Sequence, residues 1–579
     1  MSELVATDSA RSRRLLIWYG LAIALAVFTY FYGLGSDHIP KNGDELPYAH
    51  ITRVTAASGH LLPLQSELEG MRNTKPPLLF WQGIASTDWG RNWTLWHLRY
   101  PSVIYTLLTA GLVFLLGWKL SRQLETGLLA LLTFLAFFST YRYGRPFLTE
   151  APLVFWLSVP LCTMLYWRPA MFASRLLAPL LLGLVIGVGL LYKSFALLLP
   201  VVLCLSWWYL RERNYRLRTF LTRDAWKIAV IGVLSLAVFG LWFVLDPNPQ
   251  TIFREFVLKE NAGKFGSQGG GYLRNFLWGD SSIWRLVVSY PLNAGLLSFP
   301  VIALFFVSFN RRAELSDGEK LLWIWGSTLF VAFALPSQRD ERYLLPAMPA
   351  LAVLCALNWQ RISRWVFNAS LITAGVLVAV AAYLSWRLQQ GVGTQIYAPA
   401  YWLLLLGTGL LVVLGLGMPK CTRAVVNVAA ILVLLCFAAF MRPLDGPLGT
   451  YSAAVQQFAK GREVWVPINF NSKEEGYRFF LPGASIHPYN SDLNLPLADL
   501  SHRYPLFVMR QPMTASPTNS YGSKVIGQRV DLGSRHTSSQ IVQIIQGKVF
   551  EYLFLKELLI EAPGAGTNGL AEPGSTVQH

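Results

Sequence analysis

Apolar and polar positions in this chain are segregated on the scale of whole helices. Uncharged apolar runs cover Leu15–Tyr30, Pro101–Trp118, Leu128–Ser139, Ala151–Tyr166, Leu177–Leu191, Phe195–Leu210, Ile228–Leu245, Leu286–Phe309, Leu321–Leu335, Leu344–Asn358, Val366–Leu384, Trp402–Met418 and Ala424–Phe440. Each approaches the length a helix needs to cross a hydrocarbon core, so the pattern predicts about thirteen transmembrane helices. Between the first two runs, residues 35–97 form a long excursion with two expected surface helices, one from near Pro47 to Gly59 and one starting at Pro76, where a proline's missing N–H costs nothing. Trp81, Trp89, Trp93 and Trp96 in the same stretch fit an interfacial aromatic belt. A second excursion runs from Pro247 to Trp284, with Gly269–Gly271 as a hinge.

From about Gly449 the pattern becomes that of a soluble α/β mixture. Glu463–Val466, Pro505–Met509 and Val525–Val530 read as strands, Ser472–Leu481 as a helix, and Val549–Ile560 as a regular element of open type. The expected organisation is an α-helical polytopic membrane domain over 1–445 and a small soluble α/β domain over 446–579, ending in a disordered tail from Ala562.

Composition agrees with a membrane protein. Of 579 residues, 53% are hydrophobic and 14% charged, and the mean hydropathy is +0.40. The net charge of +17 does not imply nucleic acid, because the excess lies in short loops. Arg11, Arg13 and Arg14, Lys119 and Arg122, Arg168 and Arg175, Arg211 to Lys227, Arg311 and Arg312, Arg361 and Arg364, and Lys420 and Arg423 all fall on one side when spans alternate. Basic residues mark the cytoplasmic side. The N-terminus is therefore expected in the cytoplasm, the first span retained rather than cleaved, and the C-terminal domain in the periplasm of an inner membrane. The five cysteines lie in or beside spans without a CxxC pair, and the eight histidines show no HExxH spacing; neither a disulfide framework nor a metal is indicated.

The charges left on the other side carry the chemistry. Asp44 and Glu45 follow Asn42-Gly43, Lys75 precedes Pro76-Pro77, and Arg142, Arg145 and Glu150 flank the third and fourth spans. Lys193 sits in a short turn; Lys259, Glu260 and Lys264 follow, and Arg339 to Arg342 with Tyr343 precede the tenth span. An ionisable group at a span's centre costs about 2.5–3.5 kcal/mol, so their collection at helix ends implies a charged cavity at the outer leaflet. Singly, Asp44-Glu45 and Glu150 also suit helix N-termini, and Lys75 and Arg342 also suit interface anchors.

Taken in order, Gly43-Asp44-Glu45 with Tyr48-Ala49, Lys75-Pro76-Pro77-Leu78 with Trp81, Arg99-Tyr100-Pro101, Thr149-Glu150-Ala151-Pro152, Leu191-Tyr192-Lys193, Glu260-Asn261 with Lys264-Phe265, and Arg342-Tyr343-Leu344-Leu345-Pro346 with Pro349-Ala350-Leu351 resemble the GT-C superfamily of polyprenyl-phosphate-dependent glycosyltransferases. Within it they are similar to the branch of lipid A aminoarabinose transferases and protein O-mannosyltransferases. The resemblance implies inverting sugar transfer from an undecaprenyl-phosphate carrier at the outer face. It implies Asp44 as the catalytic or site-organising aspartate, Glu150 as the second acidic position and Lys75 at the carrier phosphate; the charge pattern itself adds Glu45 to the acidic catalytic set and Lys193, Arg342 and Tyr343 to the donor phosphate.

The chain departs from the branch at Pro47, where an arginine is usual, and at Glu150, where an aspartate is usual. At Thr74 a metal-binding glutamate is usual, so no metal or other cofactor is carried over, and neither are aminoarabinose or lipid A as substrates. The expected function is an integral-membrane glycosyltransferase whose acceptor is lipopolysaccharide or another glycolipid. Protein O-glycosylation is the first alternative and a lipid-linked sugar flippase the second; the absence of charges at mid-membrane depth argues against the flippase.

Overall fold

The computed structural model describes residues 2–39, 43–68, 70–262, 272–279, 281–468, 472–491, 495–515, 522–533 and 536–563, with side chains from Leu15 onward. Asn42, Lys264, Phe265, the Gly269–Gly271 hinge and nearly all of the tail lie outside the described residues. The chain divides into two units, Met1–Ala381 with Pro399–Ala439, and Ala382–Ala398 with Phe440–His579.

The first unit is helical, and every apolar run above falls on a helix or a pair of helices. Among the described residues eight helices are long and apolar enough to cross a membrane, or nine if one bent pair counts as a span. Leu15–Phe31, Glu150–Tyr166 and Leu177–Leu190 are apolar but shorter, and the helix Asp317–Ala334 opens on the charged Asp317, Glu319 and Lys320. Length and composition alone therefore stop short of thirteen. The Glu341–Arg361 span is the most enclosed, 83% of its apolar stretch being buried, against 28% for Ala225–Leu245 and Pro399–Gly417. The enclosed helix is the hub, and the other two face lipid.

The first seven helices carry the chain past the acidic motifs: α1 (Ser2–Phe31), α2 (Glu45–Ala57), α3 (Leu78–Ser86), α4 (Leu95–Ser121), α5 (Leu124–Ala136), α6 (Phe138–Gly144) and α7 (Glu150–Tyr166). Helices α5 and α6 meet at an angle of 63° because Phe137 is extended, with ψ 132°. The turn that follows brings Arg145 back under α1. Its Nε donates to the Tyr30 carbonyl at 2.8 Å and its Nη2 to that of Tyr32, serving acceptors that a helix C-terminus leaves unpaired.

The α2 helix is more enclosed than a surface helix, with Tyr48, Ala49, His50, Ile51 and Thr52 all buried. It meets α3 at Gly83, where an added Cβ would come within 2.8 Å of Thr52 Cγ2 and 2.7 Å of Phe147 Cζ, so only glycine permits this approach.

The second unit carries a five-stranded sheet in the order β2-β1-β3-β5-β4, built from β1 (Glu463–Ile468), β2 (Ser485–Asn490), β3 (Leu506–Pro512), β4 (Lys524–Leu532) and β5 (Phe554–Glu561). Strands β2, β1 and β3 run parallel, and β5 is antiparallel to both β3 and β4. The edge strand β2 escapes the sequence pattern because Pro488 interrupts it, and an edge is where a sheet tolerates proline. The stretch of open type resolves into a short helix, Val549–Leu553, followed by β5. Register across the central strands is pinned by Glu557, fully buried and opposite both Arg510 and Arg529. Those guanidiniums reach its carboxylate at 2.7 and 2.5 Å. Burial beside that carboxylate holds the Tyr477 phenol, which donates to it, well above the usual tyrosine range.

Candidate active site

Asp44 stands at the N-cap of α2, yet its side chain makes no capping bond. Its Oδ2 instead accepts from Arg342 Nη1 at 2.5 Å, joining residues 298 positions apart in sequence. Arg342 is fixed from its own side by Asp340, whose Oδ1 accepts the Arg342 backbone N–H at 2.9 Å and the Nε at 3.3 Å.

Glu45 follows by one residue, and a helix turns about 100° per residue, so it faces a different side. It is 3% exposed and accepts two bonds of 2.6 Å from Arg99 Nε and Nη2 and one of 2.7 Å from the Phe147 N–H. Arg99 spends its remaining nitrogen on the carbonyls of Leu34 and Ser36 just beyond α1. The acid pair is thus split between a partly open carboxylate and a buried structural one.

Glu150 opens α7, where the helix dipole favours a carboxylate. Its Oε1 accepts from Lys193 Nζ at 2.9 Å and its Oε2 from Thr149 Oγ1 at 3.2 Å. Lys75 donates from Nζ to Glu260 Oε1 at 2.7 Å and to the Thr74 carbonyl at 2.9 Å, and lies 6.0 Å above the Tyr48 ring. Burial, with the carboxylates of Glu150 and Asp44 facing it, keeps the Tyr48 phenol well above the usual tyrosine range. Tyr48 therefore remains a neutral ring beneath the lysine.

One cavity of about 340 Å³ is lined by Lys75, Lys193, Glu260, Arg342 and Tyr343 on its polar side and by Phe195, Leu197 and Phe333 on its apolar side; Asp44 and Glu150 stand behind this lining, held by Arg342 and Lys193. Asn261 closes the rim by accepting the Ser194 hydroxyl at 2.7 Å. Each of the three cations holds a carboxylate: Lys75 with Glu260, Lys193 with Glu150, Arg342 with Asp44. A ligand phosphate would meet cations already paired and exchange with those carboxylates, which the partial exposure of Glu260, 32%, and of Asp44, 39%, leaves room for.

Asp44, Glu150, Lys75, Lys193, Arg342 and Tyr343 are thus brought together, whereas Glu45 is turned away. Arg339 also leaves the cluster, donating to the carbonyls of Ala334 and Ser281. Sequence reasoning gave Glu260 and Asp340 a place in the charged cluster but no role, and Arg99 a place only in a motif. Two of them were visible in motifs, Glu260-Asn261 and Arg99-Tyr100-Pro101, but pairing over 185 and 54 positions leaves no local signal.

The residues present do not fit the metal site of the branch. Position 74 offers a threonine, and the carboxylate nearest the lysine beside it is engaged as that lysine's partner. Among the described residues no group of three His, Cys, Asp or Glu ligands includes Asp44, Glu150 or Glu260.

Comparison with known proteins follows the same lines. The family profile of dolichyl-phosphate-mannose-protein mannosyltransferases matches residues 41–252. An undecaprenyl phosphate-alpha-4-amino-4-deoxy-L-arabinose arabinosyl transferase of Sodalis glossinidius is 28% identical over 383 residues, 64% of this chain and 64% of its own length. The corresponding transferase of Pectobacterium carotovorum is 31% identical over 345 residues, 58% of each chain. The matched stretch thus spans under two thirds of these relatives.

The crystal structure of ArnT from Cupriavidus metallidurans bound to undecaprenyl phosphate shares the fold, with a TM-score of 0.61 at 16% identity, over 95% of this chain and 99% of that one. The chain is thus a multi-pass membrane protein with the fold of that transferase. In sequence it is similar to the aminoarabinose transferases over part of its length, and in fold to ArnT.

Proposed function

We propose that this protein is an integral-membrane glycosyltransferase that takes a sugar from an undecaprenyl-phosphate carrier and delivers it to a glycolipid hydroxyl at the outer face of a bacterial inner membrane. The observation that carries this reading is the cavity in which Lys75, Lys193 and Arg342 converge beside an apolar wall, the chemistry a lipid phosphate requires. The names of the relatives make a 4-amino-4-deoxy-pentose the first sugar to test and lipid A the first acceptor. The N-terminus lies in the cytoplasm and the second unit in the periplasm.

In the transfer, the acceptor oxygen bonds to the anomeric carbon, the bond from that carbon to phosphate oxygen breaks, and undecaprenyl phosphate leaves. Asp44, the partly exposed acid held by Arg342, receives the proton of the acceptor hydroxyl. Lys75, Lys193 and Arg342 offset the charge gathering on the departing phosphate, while Tyr343 lines its seat. Glu150 orients Lys193. Glu45 acts at one remove, as a positioning residue that fixes the first turn of α2 through Arg99.

The test is transfer by purified protein in nanodiscs, with undecaprenyl-phosphate aminoarabinose as donor and lipid A as acceptor, read by mass spectrometry. Product with the wild type and none with Asp44→Asn supports the reading. Donor that flips across the bilayer without reacting would replace it with lipid-linked sugar transport. The profile match over 41–252 favours one second reading, a protein hydroxyl as acceptor, and glycosylated peptide in place of glycolipid would establish it.

A further inference from the structure

We propose that the short helix Ser538–Ile545 of the second unit is an interfacial anchor, seated in the lipid headgroup and acyl boundary of the membrane. The helix reads SSQIVQII and opens with a reciprocal cap between Thr537 and Gln540, so it is well defined despite its length. Its apolar residues face the wrong way for a soluble domain. Ile541, Val542 and Ile545 are 48%, 50% and 66% exposed, and spacings of one and four residues gather them within about 100° of one helix face. Soluble domains keep such faces inward, and an exposed cluster marks a partner.

The partner follows from what holds this helix. Within the same unit, Tyr383 donates to the Ile545 carbonyl at 3.1 Å, Arg387 Nε donates to the Gly547 carbonyl at 3.0 Å, and an added Cβ at Gly391 would lie 2.6 Å from Phe550 Cβ. Tyr383, Arg387 and Gly391 belong to the last turns of Arg364–Val392, a candidate span. At about 1.5 Å per residue, Tyr383 and Trp386 lie roughly 28 and 33 Å along that helix from Arg364. The hydrocarbon core is about 30 Å thick, so both rings fall at the boundary opposite Arg364.

Both are exposed, Tyr383 by 40% and Trp386 by 51%, as belt aromatics are. The apolar face of the anchor helix continues this belt, and Arg387 with the exposed Lys548 supplies cations at headgroup depth. A lipid surface accounts for apolar, aromatic and basic groups at one level.

Four of the five native cysteines are buried, so only Cys421 needs replacement by alanine before spin labels are placed at Ile541→Cys, Ile545→Cys and the exposed control Lys460→Cys. The protein is reconstituted in nanodiscs of phosphatidylethanolamine and phosphatidylglycerol. Expected are oxygen-to-nickel-chelate accessibility ratios several-fold higher at 541 and 545 than at 460. Equal ratios would overturn the proposal, as would dipolar broadening between labels on two copies, which would make the occupant a second chain. The readout does not involve transfer and stands apart from the proposed activity.

Discussion

At the level of single residues, each cation of the site holds a carboxylate, and on the proposed reading a donor phosphate would take that carboxylate's place. Asp44→Asn keeps shape and removes charge, and is expected to lower turnover by about 10²-fold or more, the scale set by removing one electrostatic partner from an active site. The melting temperature should stay near wild type, because Asp44 is 39% exposed. Near-normal turnover would exclude it from the chemistry.

Glu260 predicts a change of opposite sign. As the resting partner of Lys75 it competes with donor phosphate, and a partly exposed pair of this kind contributes about 0.5–1 kcal/mol. Glu260→Gln should therefore lower the KM for donor about two- to fivefold, and a raised KM would instead make Glu260 part of the donor seat. Since Thr74 stands where the branch places a metal-binding glutamate, the turnover rate is expected to survive exhaustive chelation. Activity lost on chelation and restored by one divalent ion would reverse that expectation.

Among the helices, the decisive arrangement is the first turn of α2. Adjacent acids have separate tasks there because the helix points Asp44 toward Arg342 and Glu45 into the protein, where Arg99 grips it with two bonds and also ties down the chain after α1. Removing one partner of a buried ion pair costs about 3–5 kcal/mol. Glu45→Gln should thus lower thermal stability markedly where Asp44→Asn does not, which a melting experiment on both variants decides.

This division was not legible in the sequence, where Gly43-Asp44-Glu45 reads as one acidic motif. The helices under the apolar runs and the two helices of the first excursion were legible, because apolar runs and prolines are local signals, whereas the count of thirteen spans exceeds the eight or nine that length and composition support among the described residues. Pairings such as Lys75 with Glu260 or Asp44 with Arg342 were not, since they depend on the packing of helices hundreds of residues apart. Strand β2 was hidden by Pro488, and the helix Val549–Leu553 by its direct passage into β5.

Over the whole molecule, ion pairs and hydrogen bonds sort the helix ends of the membrane unit into two sets. One set joins Asp44, Lys75, Glu150, Lys193, Glu260 and Arg342 around the cavity. The other joins Arg168 to Glu212 and Asp317, Arg211 to Asp317, Glu319 to Asn358, and Arg423 to the carbonyl of Ile362. Loops that alternation assigned to one side are therefore physically together, independently of any rule about charge. Basic residues crowd the second set, and the positive-inside bias gives the expectation that this side faces the cytoplasm.

The expected consequence concerns the exposed positions Arg216 and Lys460. In spheroplasts a membrane-impermeant maleimide should modify Lys460→Cys directly and Arg216→Cys only after permeabilisation. The reverse pattern would invert the molecule and place the cavity where nucleotide sugars are available. A polyprenyl-phosphate donor would then lose its rationale, so the orientation and the chemistry proposed for Lys75, Lys193 and Arg342 stand together.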